Sequence, residues 1–156
     1  MTPSEFHALV APVARHIAGR PLDATLEAEL NRAFPPGGGP FREIERACHA
    51  AIAAGWMCRE GDAARRYGRI FEPEAALAGF SVDVVDITDL VGNHHVHPTG
   101  EIDMIMPVTP AARFDGRGRG WLVYAPGTGH RPTVTDGRAL VLYLLPQGRI
   151  EWSKSG

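Results

Sequence analysis

Apolar residues recur every three or four positions in the first third of the chain, which is the spacing of amphipathic helices. The stripe in residues 4–18 follows a capping signal at Thr2 and has Glu5 in its first turn. Two further stripes end at the breaker Pro35–Pro40 and at Gly55. The pattern predicts a small three-helix unit, with helices at residues 4–18, 23–34 and 41–54.

After residue 55 the pattern changes to short apolar runs separated by turns. Residues 55–71 contain two such runs interrupted by arginines, which is typical of a hairpin. From Phe80 onward, turns rich in Gly, Pro and Asp divide the chain at regular spacing. We predict a mainly β protein: a sandwich or jelly roll in residues 79–156, preceded by a helical unit with the hairpin in residues 1–78. The predicted strands are residues 80–87, 94–97, 101–107, 120–124, 131–134 and 139–145.

The formal net charge of the 156 residues is -2, with acidic and basic residues interspersed. This charge gives no long-range field for nucleic acid or for an acidic membrane, so neither partner is predicted. Three helices followed by a hairpin also occur in winged-helix DNA readers. The first third of the chain is not strongly basic, which argues against that class.

The chain also carries signals about its compartment. No apolar run approaches the roughly twenty residues of a membrane span, and the N-terminal segment does not resemble a secretory signal. Cys48 and Cys58 do not form a Cys-x-x-Cys pair, which favours reduced thiols, although a disulfide between them is compatible with the sequence. The sequence therefore predicts a cytoplasmic protein.

The densest chemistry of the chain is a group of histidines with one glutamate. Alternate side chains of a strand share a face, so His95 and His97 can bind one ion. The turn Pro98–Gly100 can return Glu101 to the same side, and His130 on another strand would complete the set. Such mixed nitrogen and oxygen ligation suits Fe(II), Mn(II), Zn(II), Ni(II) or Co(II). The sequence predicts a divalent metal site and does not identify the metal.

The string His-x-His-x-x-x-Glu, followed by Pro-Gly-x-x-His between short strands, resembles the two metal-binding motifs of the cupin superfamily. The resemblance implies a jelly-roll barrel, a metal bound by these four side chains, and often a homodimer. Gly92 and Gly120 lie close to the glycines that open the family's motifs, whereas Asp136 stands where the second motif often has asparagine. Two alternatives remain open. His94 can pair with His97, at a spacing that does not suit a flat strand, or the histidines are surface residues of a barrel without a metal.

Asp103 lies two residues after Glu101 and therefore points to the same face of a regular strand. It is a candidate for proton transfer, or for a hydrogen bond that orients a ligating histidine. The intervening apolar positions Ile102, Met104 and Met106 should face away from the site.

Three arginines surround Tyr67 in the sequence: Arg65, Arg66 and Arg69. Their planar guanidinium groups can each donate two hydrogen bonds to a carboxylate. The alternative is that they are solvated arginines on a hairpin. We assign substrate binding to Arg69 and to Tyr124, which either lines the cavity or caps the core. An arginine at the mouth of the site would select a small acid.

The string His-Pro-x-Gly-Glu-Ile-Asp, with its flanking strands from Phe80 to Ile150, resembles the 4-hydroxylaminobenzoate lyases, small bacterial proteins of nitroaromatic breakdown. The resemblance implies conversion of 4-hydroxylaminobenzoate and water into protocatechuate and ammonia. This reaction is redox-neutral, in agreement with a sequence that carries no nicotinamide- or flavin-binding signature and no phosphate loop. No catalytic residue is carried over from the family, and Glu101 and Asp103 are our candidates from the residues alone.

Two other classes fit the same features. A cupin dioxygenase or isomerase would act on a small aromatic or sugar-like acid, and oxygen dependence distinguishes the dioxygenase. A small-molecule sensor would bind a ligand tightly without turnover.

Overall fold

The computed structural model describes residues 1–153, and three helices open the chain. Thr2 and Glu5 each accept a hydrogen bond from the other's backbone N–H, so the first helix begins with a capping box. Gly55 ends the third helix in the left-handed region, with φ 88°. The three predicted helices are confirmed, with small shifts at their ends. They are α1 (Pro3–Ile17), α2 (Ala24–Ala33) and α3 (Gly39–Ala54).

Antiparallel strands make up most of the remaining described chain. In chain order they are β1 (Glu60–Gly61), β2 (Arg65–Phe71), β3 (Phe80–Val91), β4 (His95–His97), β5 (Glu101–Pro107), β6 (Arg113–Phe114), β7 (Gly120–Tyr124), β8 (Thr128–His130), β9 (Thr133–Pro146) and β10 (Glu151–Trp152). The large sheet has the order β1-β2-β3-β9-β5-β7, with β6 also paired to β9, and the small sheet has the order β10-β4-β8. The predicted mainly β architecture behind a helical unit is confirmed. Within residues 1–153, strand pairing does not close the two sheets into one barrel.

Strand β5 separates the two faces of the large sheet. Ile102, Met104 and Met106 are fully buried in the core that the sheet forms with the helices, as their alternation predicts. Glu101 and Asp103 are equally buried on the opposite face. One face of the sheet therefore supplies the main apolar core, and the other carries ionisable groups.

Helix α2 covers the edge of the large sheet at β7. The Asn31 side chain accepts a hydrogen bond from Trp121 N at 3.0 Å and donates one to Trp121 O at 3.1 Å. Glu27 accepts a bond from Val123 N at 2.9 Å. At Gly120 a Cβ atom would lie 2.9 Å from Asn31 Oδ1, so the glycine permits this close approach. These contacts satisfy backbone groups that an edge strand would otherwise leave to solvent.

The largest differences from the predicted strand bounds are in β9 and β3. The runs at 131–134 and 139–145 belong to one strand, β9, which begins only at Thr133. Pro132 has no N–H for a ladder, and its carbonyl instead accepts a bond from Gly92 N at 2.7 Å. The run that begins at Phe80 continues to Val91 across an irregularity beside Asp89, whose φ is 41°.

The predicted domain boundary between residues 78 and 79 lies in the turn before β3. The predicted hairpin forms as β1 and β2, and β2 pairs with β3, so the large sheet takes strands from both sides of that boundary. Cys48 and Cys58 are free buried thiols. In the described part of the chain, no helix has the length and apolar character needed to cross a membrane.

Candidate metal centre

Four side chains from three strands meet between the two sheets. His95 and His97 alternate along β4, and His130 lies directly opposite His95 in the pairing of β4 with β8. Glu101 begins β5 after a turn at Gly100, whose φ is 90°. A Cβ atom at Gly100 would lie 2.8 Å from Tyr124 O, so this position favours glycine in both conformation and space.

The predicted ligand atoms converge on one point. The Nε2 atom of His95 lies 2.8 Å from that of His97 and 3.1 Å from that of His130. The Glu101 carboxylate oxygens lie 3.6 Å from His95 Nε2, 3.3 Å from His97 Nε2 and 3.6 Å from His130 Nε2. One atom from each of the four residues falls within 4.8 Å of all the others. The structure thus brings together the ligand set predicted from the sequence.

The chemistry of this donor set fits a divalent metal. Both Glu101 oxygens are buried without a hydrogen-bond partner among the described residues, which is costly for a carboxylate unless a cation pairs with it. Ligand atoms about 2.0–2.2 Å from one ion and roughly 90° apart would be separated by about 3 Å, close to the observed nitrogen separations. Three imidazoles and a carboxylate are compatible with several metals, so the geometry does not identify one.

The hydrogen bond at Nδ1 of His97 determines which of its ring nitrogens is available to bind a metal. Its Nδ1 atom lies 3.1 Å from Thr128 Oγ1, and the Thr128 hydroxyl donates to Ala125 O at 2.6 Å. Because that hydroxyl proton is already used, the Thr128 oxygen accepts from His97 Nδ1–H. The Nε2 lone pair of His97 therefore points into the site, as metal ligation requires.

An aspartate that the sequence analysis did not select supports His130. The Asp115 carboxylate lies 2.5 Å from His130 Nδ1, and Tyr124 OH donates to the same oxygen at 2.5 Å. The other oxygen accepts from Thr133 N at 2.9 Å. Asp115 sits in a turn after the two-residue strand β6, outside both histidine motifs. Its only signal in the sequence is an Asp-Gly pair.

Asp103 is a second carboxyl group beside Glu101. It is fully buried, and neither of its oxygens has a hydrogen-bond partner among the described residues. Burial and the neighbouring charge of Glu101 raise the pKa of Asp103 well above its usual range. Burial acts in the same direction on Glu101, but the imidazoles of His95 and His97 beside its oxygens outweigh it and lower the Glu101 pKa. The environment of β5 therefore shifts the pKa values of the two carboxyl groups in opposite directions, that of Asp103 upward and that of Glu101 downward.

A cavity of about 560 Å³ adjoins this centre. Trp152 in its wall contacts the His95 ring, with ring centroids 4.8 Å apart. Tyr143, also in the wall, lies opposite Asp103 in the pairing of β5 with β9. The cavity has a volume typical of small-molecule sites, and Trp152 and Tyr143 place it beside His95 and Asp103.

The two residues predicted to bind substrate occupy different places. Arg69 lines the cavity, but its guanidinium pairs with Asp83 at 2.9 Å and donates to Gly148 O at 3.1 Å. Tyr124 stacks on His97 at 5.2 Å between ring centroids and points its hydroxyl at Asp115. A substrate-binding role for either residue stays a prediction.

The neighbouring arginines of β2 differ from Arg69. Arg66 projects from the other face of the strand and pairs with Asp86 at 2.6 Å. Arg65 lines the cavity, with its guanidinium carbon 4.9 Å from the centre of the Tyr67 ring. Within residues 1–153, no carboxylate forms an ion pair with Arg65. Its hydrogen-bonding fork is therefore available to a ligand.

The protein is cupin-like and has a candidate metal centre. It consists of two antiparallel sheets with a helical unit on the outer face of the larger sheet, and three imidazoles and a carboxylate lie between the sheets. An RmlC-like cupin protein from Ralstonia eutropha aligns with a TM-score of 0.43 and 12% identity, over 60% of this chain and 62% of that chain.

Sequence comparison gives the family. The family model described as PnbB, 4-hydroxylaminobenzoate lyase, matches residues 8–152. A 4-hydroxylaminobenzoate lyase from Nocardioides sp. (strain LMS-CY) is 30% identical over 160 residues, covering 97% of this chain and 95% of that protein. Another from Pseudomonas putida is 28% identical over 153 residues, covering 87% of each chain. The chain belongs to the 4-hydroxylaminobenzoate lyase family, and the predicted resemblance is confirmed.

Proposed function

We propose that this protein converts 4-hydroxylaminobenzoate and water into protocatechuate and ammonia. The observation that carries the proposal is the buried convergence of His95, His97, Glu101 and His130 beside the buried Asp103, in a chain of this lyase family. The reaction breaks the N–O bond and forms a C–O bond on the ring, so it needs no external oxidant or reductant.

The balanced sequence has three steps. The N–O bond breaks and its oxygen leaves as water once it is protonated. A second water adds to the ring carbon beside the nitrogen and loses a proton, which leaves an imine. A third water hydrolyses the imine carbon, ammonia departs, and loss of the ring proton restores the aromatic catechol. Two waters enter and one leaves, so the net reaction consumes one water.

The residues of the site match these needs. Asp103 lies on the same face of β5 as Glu101, burial raises its pKa, and it is the proposed acid for the departing oxygen. The lowered pKa of Glu101 favours the carboxylate form that a divalent cation needs as a ligand. A divalent metal bound by the three histidines and Glu101 would supply Lewis acidity and hydroxide at neutral pH.

The cavity beside Trp152 and Tyr143 is the proposed seat of the benzoate ring. Val85 and Ile87 supply apolar lining, and Arg65 supplies the unpaired guanidinium that the substrate carboxylate needs. Arg69 already binds Asp83, so it shapes this wall and Arg65 is the better candidate for the carboxylate.

The test is product stoichiometry without oxygen. Purified protein is incubated anaerobically with 4-hydroxylaminobenzoate, and protocatechuate and ammonia are measured together. Equal amounts of both products, without added nicotinamide, support the lyase. A requirement for oxygen would favour a dioxygenase, and binding without turnover would favour a sensor.

A further inference from the structure

We propose that Asp115 is a positioning residue that makes His130 a metal ligand by fixing its tautomer and ring orientation. This inference rests on the metal centre of the proposed function. It concerns a residue outside both histidine motifs, in the turn between β6 and β7.

The Asp115 carboxylate is shared by three donors. One oxygen receives His130 Nδ1–H and the Tyr124 hydroxyl, each at 2.5 Å, and the other receives Thr133 N at 2.9 Å. The side chains of His130 and Asp115 are only 11% and 12% exposed. Water therefore competes little for these bonds, and the carboxylate has a defined orientation.

This arrangement decides which nitrogen of His130 can bind a metal. A neutral imidazole has one N–H, and a carboxylate can only accept, so the proton resides on Nδ1. The lone pair of Nε2 then points at the centre, where that atom lies 3.1 Å from His95 Nε2 and 3.6 Å from Glu101 Oε2. The negative charge behind the ring also makes Nε2 a stronger donor.

An asparagine at position 115 would conflict with this geometry in either amide orientation. If its oxygen keeps the bond from Thr133 N, its NH2 group faces His130 Nδ1 and favours a proton on Nε2, which removes the ligand. If the amide is flipped, His130 keeps its acceptor, but the NH2 group faces Thr133 N–H. The substitution is nearly isosteric, so it tests the charge and the acceptor pattern more than the packing.

The experiment measures Co(II) binding by chelator competition and the visible spectrum of the Co(II) protein. Asp115→Asn and Asp115→Ala should weaken Co(II) binding about 10- to 100-fold, with a changed spectrum. Tyr124→Phe removes one donor but leaves the His130 bond, so it should change affinity less. Asp136→Asn, at an exposed position of β9, is the matched control and should bind Co(II) as the wild type does.

A purely structural role predicts a different result. If Asp115 only holds the turn through Thr133, Asp115→Asn would lower stability and leave Co(II) affinity and spectrum unchanged, which overturns the proposal. The wild-type tautomer gives a second test that needs no stable Asp115 variant. Nitrogen NMR of the metal-free protein, with the His130 signals assigned from a His130→Gln sample, should show the proton on Nδ1; a proton on Nε2 contradicts the proposal.

The two proposals fail in distinguishable ways. Wild-type protein that binds Co(II) through His130 but releases no ammonia from 4-hydroxylaminobenzoate contradicts the proposed reaction and leaves the role of Asp115 standing. Wild-type protein that binds no Co(II) overturns the role of Asp115.

Discussion

Replacing Asp103 by asparagine should make the metal-free protein more stable while it removes activity. In the folded protein Asp103 is fully buried beside the charged Glu101, and burial raises its pKa well above the usual value. Above its unfolded pKa of about 4, the folded state must hold a proton that the unfolded state has lost. Asparagine has nearly the shape of the protonated acid and carries no such penalty.

The size of the effect follows from the proton that Asp103 must take up on folding. Each pH unit above the unfolded pKa of about 4 costs about 1.4 kcal/mol until the folded pKa is reached, so the expected gain in the free energy of unfolding near pH 7 is at most about 4 kcal/mol. For a domain of this size, each kcal/mol corresponds to about 2–4 °C in Tm. Turnover should fall by about 10²- to 10⁴-fold, because a positioned proton donor is lost.

The stability advantage of Asp103→Asn over the wild type should depend on pH in one direction. A raised folded pKa costs stability as pH rises from the unfolded value towards the folded one, so the advantage of Asp103→Asn should be near zero at about pH 4 and grow towards neutrality. Chemical denaturation of chelated protein at several pH values measures it, with Asp136→Asn as the exposed control. An Asp103→Asn protein that is less stable than wild type at pH 7 would show that the ionised carboxylate stabilises the fold, contrary to this reasoning.

Three further substitutions test other parts of the structure. His97→Ala should remove bound metal and turnover together, whereas the exposed His49→Ala should change neither; metal analysis with an activity assay decides. Arg65→Ala should raise the KM for 4-hydroxylaminobenzoate about 10- to 100-fold, through loss of a charge-assisted pair, and should leave phenylhydroxylamine, which lacks the carboxylate, unaffected. Arg42→Ala, at an exposed position of α3, is its control, and an equal effect on both substrates would refute the carboxylate role. Asn31→Ala should lower the free energy of unfolding by about 1–3 kcal/mol, because it leaves Trp121 backbone groups without partners, and an unchanged urea midpoint would contradict this.

Three of the four candidate ligands could be predicted because their pattern is local, whereas His130 was predicted from the resemblance to the second cupin motif. His95 and His97 share a face through the strand period of two, and Glu101 returns after a turn that glycine permits. The same period correctly assigned Ile102, Met104 and Met106 to the opposite face. These inferences needed only the chain order and the geometry of a strand.

Other parts of the site depend on pairing that the sequence does not reveal. The strand period of two predicts that Arg66 lies on the opposite face of β2 from Arg65 and Arg69. Only the register of β2 with β3, which the sequence does not show, places Asp83 beside Arg69. Asp115 reaches His130 from a turn without periodicity, where an Asp-Gly pair gives no indication of a partner.

The helical unit shows a similar limit. Its amphipathic stripes predict three helices, and the structure confirms them. The stripes do not show that polar residues of α2, Glu27 and Asn31, bond to the backbone of β7. Hydrophobic periodicity describes the face that packs into the core, whereas these bonds come from the border of that face.

The central claim is that the buried set of three histidines and Glu101 is a metal centre on which the lyase reaction depends. The most direct test is to remove metal with a chelator, add back one divalent metal in steps, and follow ammonia release from 4-hydroxylaminobenzoate against metal occupancy. Turnover should be lost on chelation and should return in proportion to occupancy, reaching its maximum at one ion per chain. Full turnover in protein shown to be free of metal would contradict this claim.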